Sequence, residues 1–376
     1  MIVGVLGGGQ LGRMLAMAGQ RLGVRCRFLD PDPHAPAGEI GELIVADYSN
    51  EGAIARLREG AAITTCEFEN VPASAASLLE RTGRFFPGAG ALAAAQERLA
   101  EKSLFAELNI PTPRFAPIDG PEDVEPAVRR VGLPAVLKTR RLGYDGKGQL
   151  VLREPEALAS AWRALGSVPL IAEELVEFER EVSLIAVRSA SGETAFYPLI
   201  ENLHQRGILR LSRAPAPDTP PGSGPALQQL AQDYARRVLD RLSYVGVLTI
   251  EFFQSSGAAL KANEMACRVH NSGHWTIEGA ECSQFENHLR AILGWPLGAT
   301  GALGPSAMVN IIGAPPILPE VLRVPGAAVH LYGKSPRAGR KLGHITLRAP
   351  DEPTLSARTE RVRAIVAAAE AGGGVG

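Results

Sequence analysis

The chain begins MIVGVLGGGQLGRMLAMAGQRLGVRCRFLD (residues 1–30), and this stretch decides how the first part of the protein folds. Apolar runs at 2–6 and 24–29 predict strands, and the apolar spacing over 10–22 predicts a helix between them. Strands that alternate with helices of this length form a parallel sheet with right-handed crossovers. Two further short apolar runs follow before residue 65. The sequence therefore predicts a doubly wound α/β domain at the N-terminus.

The pattern changes after a predicted helix at 91–108 and the turn-rich segment at 110–113. Longer alternating runs then predict antiparallel strands, and a loop rich in Pro and Gly at 214–224 leads into a predicted helix at 225–242. These features predict a middle region of the α+β class. Its predicted strands are 181–187, 195–200, 208–212, 245–253 and 259–264.

A third unit is predicted after Trp295-Pro296, where the chain becomes rich in Gly and Pro. Strands at 307–312, 327–331 and 344–347 precede a final helix at about 353–369. A chain of 376 residues exceeds the size at which a single core usually stops growing. We predict a Rossmann-like domain at 1–96, a domain of two α+β lobes at 97–295, and a small β-rich domain at 296–376.

The charge balance points to small-molecule chemistry. Lys and Arg total 39 against 40 for Asp and Glu, a net charge of −1, so no global field would attract nucleic acid or an anionic membrane. The four cysteines lie far apart without a C-x-x-C pair, which favours reduced thiols and the cytoplasm. No secretion signal or membrane anchor is expected.

The turn after the first strand matches a dinucleotide-binding fingerprint. Residues 7–12 read GGGQLG and satisfy G-x-G-x-x-G, and Asp30 ends the next predicted strand, where an acidic residue would hold a ribose hydroxyl. The same glycines are also what any tight turn with close helix contact in such a fold needs. On this motif alone an oxidoreductase and a purely structural turn are equally favoured.

A second glycine-rich segment favours a phosphate site. Lys138 ends a predicted strand, and LGYDGKGQ (142–149) follows before the next one. Glycines in such a turn let backbone N–H groups face phosphate oxygens, with lysine as a counter-charge. A flexible surface hairpin is the alternative. The sequence has no G-x-x-x-x-G-K-[ST] motif, which disfavours a P-loop enzyme.

Two glutamates interrupt apolar strand patterns in the middle region. Glu251 lies in LTIEFF (248–253), and Glu264 ends LKANE (260–264). Carboxylates on neighbouring antiparallel strands could meet at Mg²⁺, which takes one or two carboxylates together with substrate phosphates. The alternative is a pair of outward-facing glutamates at the edge of the sheet.

Taken together, these segments resemble the ATP-grasp enzymes, and within them the 5-(carboxyamino)imidazole ribonucleotide synthases. The resemblance rests on GVLGGGQLGRML (4–15), GYDGKGQ (143–149), RVHNSGHWT (268–276) and GRKLGH (339–344), of which 270–276 is the most specific. These stretches span all three predicted domains. The resemblance implies an ATP-grasp fold with an N-terminal pre-ATP-grasp domain, and a homodimer.

The resemblance also implies which residues meet ATP and a Mg²⁺ or Mn²⁺ ion. Glu251 and Glu264 would hold the metal, with Arg98 and Lys138 on the phosphates or base and 173–176 at the adenine. The implied ATP set is Arg98, Lys138, Gly143, Tyr144, Asp145, Gly146, Lys147, Gly148, Gln149, Glu173, Glu174, Leu175, Val176, Glu181, His204, Asn263 and Glu264.

A second set would bind the acceptor, aminoimidazole ribonucleotide, beside bicarbonate. A basic strip at 334–341 suits a ribose phosphate, although most such runs are solvated faces. Arg268, His270 and Lys147 are the implied catalytic residues. The implied substrate set is Gln10, Leu11, Glu67, Tyr144, Asp145, Lys147, Arg268, His270, Asn271, Ser272, Lys334, Arg340 and Lys341.

The implied reaction phosphorylates bicarbonate with ATP to carboxyphosphate, which then carboxylates the acceptor's amine. Alternatives are another ATP-grasp ligase, such as a formate-using ribonucleotide transformylase, or an NAD(P)-dependent oxidoreductase built on residues 7–12. Three departures from the family pattern are Cys66, where an aromatic residue is expected, Leu142, where a glycine is expected, and Cys267, where alanine or proline is expected.

Overall fold

The N-terminal domain is built on a parallel sheet. The computed structural model describes residues 1–143, 146–155, 158–255 and 259–372. Within residues 1–96 the sheet has strand order β3-β2-β1-β4, and its apolar faces are buried between the helices. The strands are β1 Ile2–Leu6, β2 Arg25–Asp30, β3 Glu42–Val45 and β4 Ala61–Cys66; the helices are α1 Gln10–Arg21, α2 Glu51–Arg58 and α3 Ala73–Thr82. The doubly wound pattern predicted from residues 1–30 is confirmed.

The helical stretch predicted at 91–108 consists of two helices that are separated at Glu97. They are α4 Ala89–Gln96 and α5 Arg98–Glu107. Glu97 between them is extended, with φ −130° and ψ 111°, and its carboxylate accepts hydrogen bonds from the N–H groups of Leu99 and Ala100. This cap satisfies the free donors at the start of α5. The new helix therefore starts in a different direction, with Arg98 as its first residue.

The next elements form a small lobe around an antiparallel sheet. Its order is β5-β8-β6-β7, and α6 packs against β5 and β8. The strands are β5 Phe115–Ile118, β6 Ala135–Thr139, β7 Gln149–Leu152 and β8 Leu170–Glu174; the helices are α6 Val124–Val131 and α7 Leu158–Ala164. The lobe has its own apolar core.

A large antiparallel sheet carries the rest of the chain. Its order is β14-β13-β9-β11-β12-β15-β17-β16, with β10 added beside β9. The strands are β9 Arg180–Arg188, β10 Thr194–Phe196, β11 Ile200–Gln205, β12 Ile208–Ala214, β13 Gly246–Gln254, β14 Leu260–Ala266, β15 Ser306–Gly313, β16 Ala327–Leu331 and β17 Arg337–Arg348. The helices are α8 Gly224–Arg241, α9 Thr276–Gly279, α10 Gln284–Leu293, α11 Leu318–Leu322 and α12 Glu352–Gly372.

Two strand predictions differ from this sheet. The predicted strand at 195–200 was wrong, because β10 ends at Phe196 and β11 starts at Ile200. Tyr197 lies between these strands, is fully buried and donates its hydroxyl hydrogen to the carbonyl of Cys282 at 2.9 Å. Its burial therefore comes from packing in the core and not from a place in a strand. The last predicted strand, at 344–347, is the end of β17, which begins at Arg337 and includes the basic strip.

The C-terminal strands continue the large antiparallel sheet. β15 pairs with β12, with Leu211 opposite Val309, so the strands of 296–376 share one ladder with those of the middle region. None of the described helices is both long enough and apolar enough to cross a bilayer.

Candidate active site

A cleft of about 580 Å³ lies where the N-terminal domain, the large sheet and the β16–β17 hairpin meet. Most of the predicted site residues line it. From the predicted sets these are Gln10, Leu11, Glu67, Arg98, Gly143, Lys147, His204, Glu251, Glu264, Arg268, His270, Asn271, Lys334, Arg340 and Lys341. Residues up to 331 positions apart in the chain, Gln10 and Lys341, thus face one cavity.

The other predicted residues that the structure describes are not part of the lining of this cleft. Glu181 hydrogen-bonds to His204, and Ser272 hydrogen-bonds to His270. Asn263 precedes Glu264, and Gly146, Gly148 and Gln149 belong to the glycine-rich segment 142–149. Glu173, Glu174, Leu175 and Val176 lie at the end of β8 and directly after it, and Lys138 on the neighbouring strand β6 pairs with Glu173. Tyr144 and Asp145 lie outside the described residues.

Glu251 and Glu264 face each other across two adjacent strands. They are direct partners in the β13–β14 ladder, so both side chains lie on one face of the sheet. Glu251 accepts from His270 Nε2 at 3.1 Å, and Glu264 pairs with Arg98 Nη1 at 3.0 Å. Burial raises the pKa of Glu251, but the bond and charge of His270 outweigh it and bring the pKa to about 2. Two carboxylates therefore share this face.

The donor set fits a magnesium ion that is completed by phosphate oxygens. The described residues contain no cluster of three or more His, Cys, Asp or Glu that could hold a metal by itself. The Oδ1 atom of Asn263, next to Glu264, is buried without a hydrogen-bond partner. Mg²⁺ takes few protein carboxylates and relies on substrate phosphates, and a carbonyl-type oxygen is a suitable additional ligand.

The end of β8 carries a buried carboxylate between two lysines. Glu173 is 2% exposed, and its Oε2 pairs with Lys138 at 2.9 Å and with Lys102 at 3.5 Å. Burial raises the pKa of Glu173, but the charges of Lys138 and Lys102 outweigh it and bring the pKa to about 2. The other oxygen, Oε1, is buried without a partner. An acceptor is therefore available here for a donor such as an exocyclic amine.

The glycine-rich turn after β1 is closed by a glutamate. Both oxygens of Glu67 accept from this turn, from Gly9 N at 2.5 Å and Gly12 N at 2.7 Å, and Asp30 accepts from Gly8 N at 2.7 Å. A Cβ on Gly9 would clash with Glu67 Oε1. The N–H groups that hold a pyrophosphate in dinucleotide-binding domains are thus already occupied by carboxylates.

NADH and NADPH are accordingly expected not to bind. A pyrophosphate would have to displace the Glu67 carboxylate and meet its negative charge, so fluorescence titration of the reduced cofactor should show no saturable change up to millimolar concentration. Saturable binding that is lost in Asp30→Ala would contradict this and revive the oxidoreductase alternative.

The acceptor side of the cleft is organised by Arg268. Its guanidinium forms a two-point ion pair with Glu69, with Nη2 2.8 Å from Oε1 and Nε bonded to Oε2. Burial lowers the pKa of Arg268, but the Glu69 charge outweighs it and raises the pKa. His270 is held between Ser272 Oγ, 2.9 Å from Nδ1, and Glu251. Both side chains are therefore fixed in place before any ligand arrives.

Cations of the β16–β17 hairpin complete this side. Lys334 donates to Gln10 Oε1, which ties the hairpin to the start of α1. Burial lowers the pKa of Lys334. Arg340 donates to Ser335 Oγ at 3.0 Å. With Arg268, these groups form a cationic cradle opposite the carboxylate pair.

Several charged residues of the site were not predicted from the sequence: Glu69 and Arg140 line the cleft, and Glu101 and Lys102 lie on α5. Glu101 is 3% exposed, lines the cleft and accepts from Met265 N at 2.6 Å. Burial and the nearby Glu264 raise its pKa to about 8. Lys102 is fully buried. The available signal for Glu101 and Lys102 was their helical spacing from Arg98, which puts charged groups on the buried side of α5.

The three departures from the family pattern have simple structural settings, and Cys267 is buried. Leu142 adopts φ +63°, the left-handed conformation in which glycine is favoured, and its side chain is 72% exposed. Cys66 is buried, and burial raises the pKa of its thiol to about 12, so it packs as a small apolar side chain.

His204 provides a pH-dependent contribution to stability. Its Nδ1 lies 2.7 Å from Glu181 Oε2; burial lowers the pKa of His204, but Glu181 and Glu251 outweigh it and raise the pKa. The contribution is therefore complete below the unfolded pKa of about 6.5 and is lost as the pH rises through the folded pKa.

Urea unfolding without nucleotide should show a stability difference between wild type and His204→Gln that is largest at pH 6 and shrinks toward pH 9. His34→Gln, at an exposed position, is the control, and a difference that does not vary with pH would contradict the assignment.

Known protein families match all three parts of the chain. The model for the ribonucleotide synthetase preATP-grasp domain matches residues 1–96, that for the ATP-grasp domain matches 103–285, and that for the phosphoribosylaminoimidazole carboxylase C-terminal domain matches 306–358. The first match covers the N-terminal sheet, the second covers the small lobe and strands β9 to β14 of the large sheet, and the third covers strands β15 to β17.

Relatives with known names are similar over nearly the whole length. N5-carboxyaminoimidazole ribonucleotide synthase of Pseudomonas aeruginosa is 54% identical over 98% of this chain and 100% of the relative. The crystal structure of the synthetase from Thermus thermophilus is 56% identical, with a TM-score of 0.92 over 97% of this chain and 98% of that one. The synthase of Aspergillus clavatus, solved with ADP and 5-aminoimidazole ribonucleotide, is 31% identical, with a TM-score of 0.88 over 98% of both chains. The chain therefore belongs to the N5-carboxyaminoimidazole ribonucleotide synthase family of ATP-grasp ligases.

Proposed function

We propose that this protein uses ATP and bicarbonate to carboxylate the amine of 5-aminoimidazole ribonucleotide, giving the carbamate, ADP and phosphate, as a step of purine biosynthesis. The observation that carries the proposal is the pairing of Glu251 with Glu264 opposite the cationic cradle in one cleft. The Aspergillus clavatus relative, with ADP and the ribonucleotide bound, supports the same pair of ligands.

At the nucleotide end, the chain's own residues bind and orient ATP. Glu251, Glu264 and the Asn263 oxygen would hold Mg²⁺, which neutralises phosphate charge and makes ADP a better leaving group. Arg98 Nη1 lies 3.0 Å from Glu264 Oε2, so the Arg98 guanidinium would contact the phosphates. Glu173, with its unpartnered Oε1, would accept from the adenine amine, and the Glu181–His204 pair would face the ribose.

At the acceptor end, the site would promote the reaction by holding the reactants in position and by stabilising their negative charge. A bicarbonate oxygen attacks the γ-phosphorus, the bond to ADP breaks, and carboxyphosphate forms. The acceptor amine then attacks the carboxyl carbon, phosphate leaves, and the amine loses a proton. Arg268 would stabilise the anionic carboxyl group, and Lys334 and Arg340 would hold the sugar phosphate. Lys147 and the segment around Gly143 would cover the reactants and limit hydrolysis.

The test is the dependence of ADP formation on each substrate. Purified protein with ATP and Mg²⁺ should release ADP rapidly only when bicarbonate and the aminoimidazole ribonucleotide are both present. ADP release that requires formate in place of bicarbonate would identify a transformylase and overturn the proposal. Release that is indifferent to the ribonucleotide would overturn the acceptor assignment.

Three further features belong to the proposal. The functional divisions are 1–96, 97–295 and 296–376. The setting is the cytoplasm, where thiols such as the four buried unpaired cysteines stay reduced. The assembly is a homodimer, which light scattering of the purified protein would test.

A further inference from the structure

The strand that carries Asn263 and Glu264 contains a β-bulge at the site itself. In the β13–β14 ladder Glu251 opposes Glu264 and the next residue, Phe252, opposes Ala262, so Asn263 is the extra residue. The burial pattern shows the result: Ala262 and Met265 are buried, while the two consecutive residues between them are half-exposed. A regular strand would turn Asn263 and Glu264 to opposite faces. The bulge lets both face the nucleotide side.

The carbonyl of the bulged residue is satisfied by a buried lysine. Lys102 Nζ donates to Asn263 O at 2.6 Å and to Ala262 O at 3.4 Å, and the Lys102 side chain is 0% exposed. A bulge leaves a backbone group without its ladder partner, and a buried carbonyl without a donor is costly. Lys102 therefore stabilises the bulged conformation directly.

The same ammonium also contacts the small lobe. Its third partner is Glu173 Oε2, 3.5 Å away, at the end of β8. Glu173 and Asn263 each carry a buried oxygen with no partner, Oε1 and Oδ1. The Lys102 ammonium thus bridges the two lobes. It contacts Glu173 and Asn263, and the side chain of each of these residues has one acceptor oxygen that is not yet hydrogen-bonded.

We propose that Lys102 is a positioning residue for the nucleotide: it holds the bulge at Asn263 and joins it to Glu173, so that the phosphate and adenine ends of the site keep one fixed separation. This rests on the proposed function in that the ligand is ATP. Lys102 itself lies behind the site and acts through Asn263, Glu264 and Glu173.

The test compares Lys102→Met with wild type by calorimetry with ADP in the absence of metal, and by steady-state kinetics. Removing a group that orients ligating residues typically weakens binding or activity about 10- to 100-fold. We expect ADP affinity and kcat/KM for ATP to fall within that range, while KM for the ribonucleotide changes less than about twofold. A merely structural role would affect both substrates together.

Two further variants keep the result interpretable. Lys102→Gln retains a donor for the Asn263 carbonyl without the charge, so it should fold and show an intermediate ADP affinity; it decides the question if the methionine variant is insoluble. Lys261→Met removes another lysine that bridges the lobes, through its 2.6 Å ion pair with Glu174, but its side chain is 38% exposed. ADP affinity should change less than twofold in this control.

The proposal is overturned if Lys102→Met, or Lys102→Gln in its place, binds ADP as tightly as wild type, or if the ribonucleotide is affected as strongly as ATP. ADP binding does not involve the acceptor. Failure of the proposed function would instead appear in the wild type, as ADP release that needs neither bicarbonate nor the ribonucleotide.

Discussion

Glu264→Gln is expected to lower kcat for ADP formation by about 1000-fold or more without unfolding the protein. The metal ion supplies several kcal/mol of charge stabilisation in such reactions, and each ~1.4 kcal/mol is a factor of ten in rate. A neutral amide would hold Mg²⁺ much more weakly than the carboxylate that lies opposite Glu251. The fold should survive because the side chain is 41% exposed and the amide oxygen can still accept from Arg98.

The measurement combines turnover with urea unfolding. The free energy of unfolding should stay equal or rise slightly, because Glu264 raises the pKa of the buried Glu101 and its removal relieves that repulsion. Glu320→Gln, a change of the same kind at an exposed position on α11, should leave turnover unchanged. Wild-type turnover in Glu264→Gln would remove the metal assignment.

Arg268→Met is expected to reduce both stability and activity. The change leaves the Glu69 carboxylate without its partner, and breaking a fully buried pair costs about 3–5 kcal/mol. Glu69 keeps 26% of its side chain exposed, so we expect a loss of about 2 kcal/mol in the free energy of unfolding. Loss of the cation beside the carboxyl group should lower kcat about 100- to 1000-fold, as removal of one stabilising donor does.

The double variant Arg268→Met/Glu69→Gln separates these two effects. It contains no unpaired carboxylate at position 69, so most of the lost stability should return. Its turnover should stay as low as that of the single variant, because the cation is still missing. Recovery of activity together with stability would show that Arg268 acts only through folding.

Local patterns in the sequence were sufficient for the N-terminal sheet. β1 was predicted at its observed bounds, 2–6, because a strand buried on both faces forms a continuous apolar run. The break at Glu97 had no comparable signal: neither Gly nor Pro marks it, and the cap comes from a glutamate side chain. The prediction at 195–200 failed because the burial of Tyr197 resembled strand alternation.

Part of the site was predictable because it also has local signals in the sequence. Glu251 and Glu264 stood out because a carboxylate within an apolar strand needs an explanation. The bulge at Asn263 has no local signature because it depends on the partner strand β13. The hydrogen bond from Lys102 to the Asn263 carbonyl has none either, because Lys102 lies 161 residues earlier in the chain. The closure of the glycine turn by Glu67 likewise joins residues 58 positions apart. Only the folded chain distinguishes this turn from one that binds a dinucleotide.

The pairing of β12 with β15 affects how the substrates can exchange. Through it, the carboxylates on β13 and β14 and the cations on β17 belong to one continuous sheet, whereas Glu173 and Lys138 belong to the smaller sheet. Rotation of the smaller sheet, once the contact of Lys102 with Glu173 is broken, would release a spent nucleotide without altering the distance between the metal carboxylates and the cradle. We therefore expect ADP to be replaced by ATP while the ribonucleotide stays in place, and expect the substrates to add in no compulsory order.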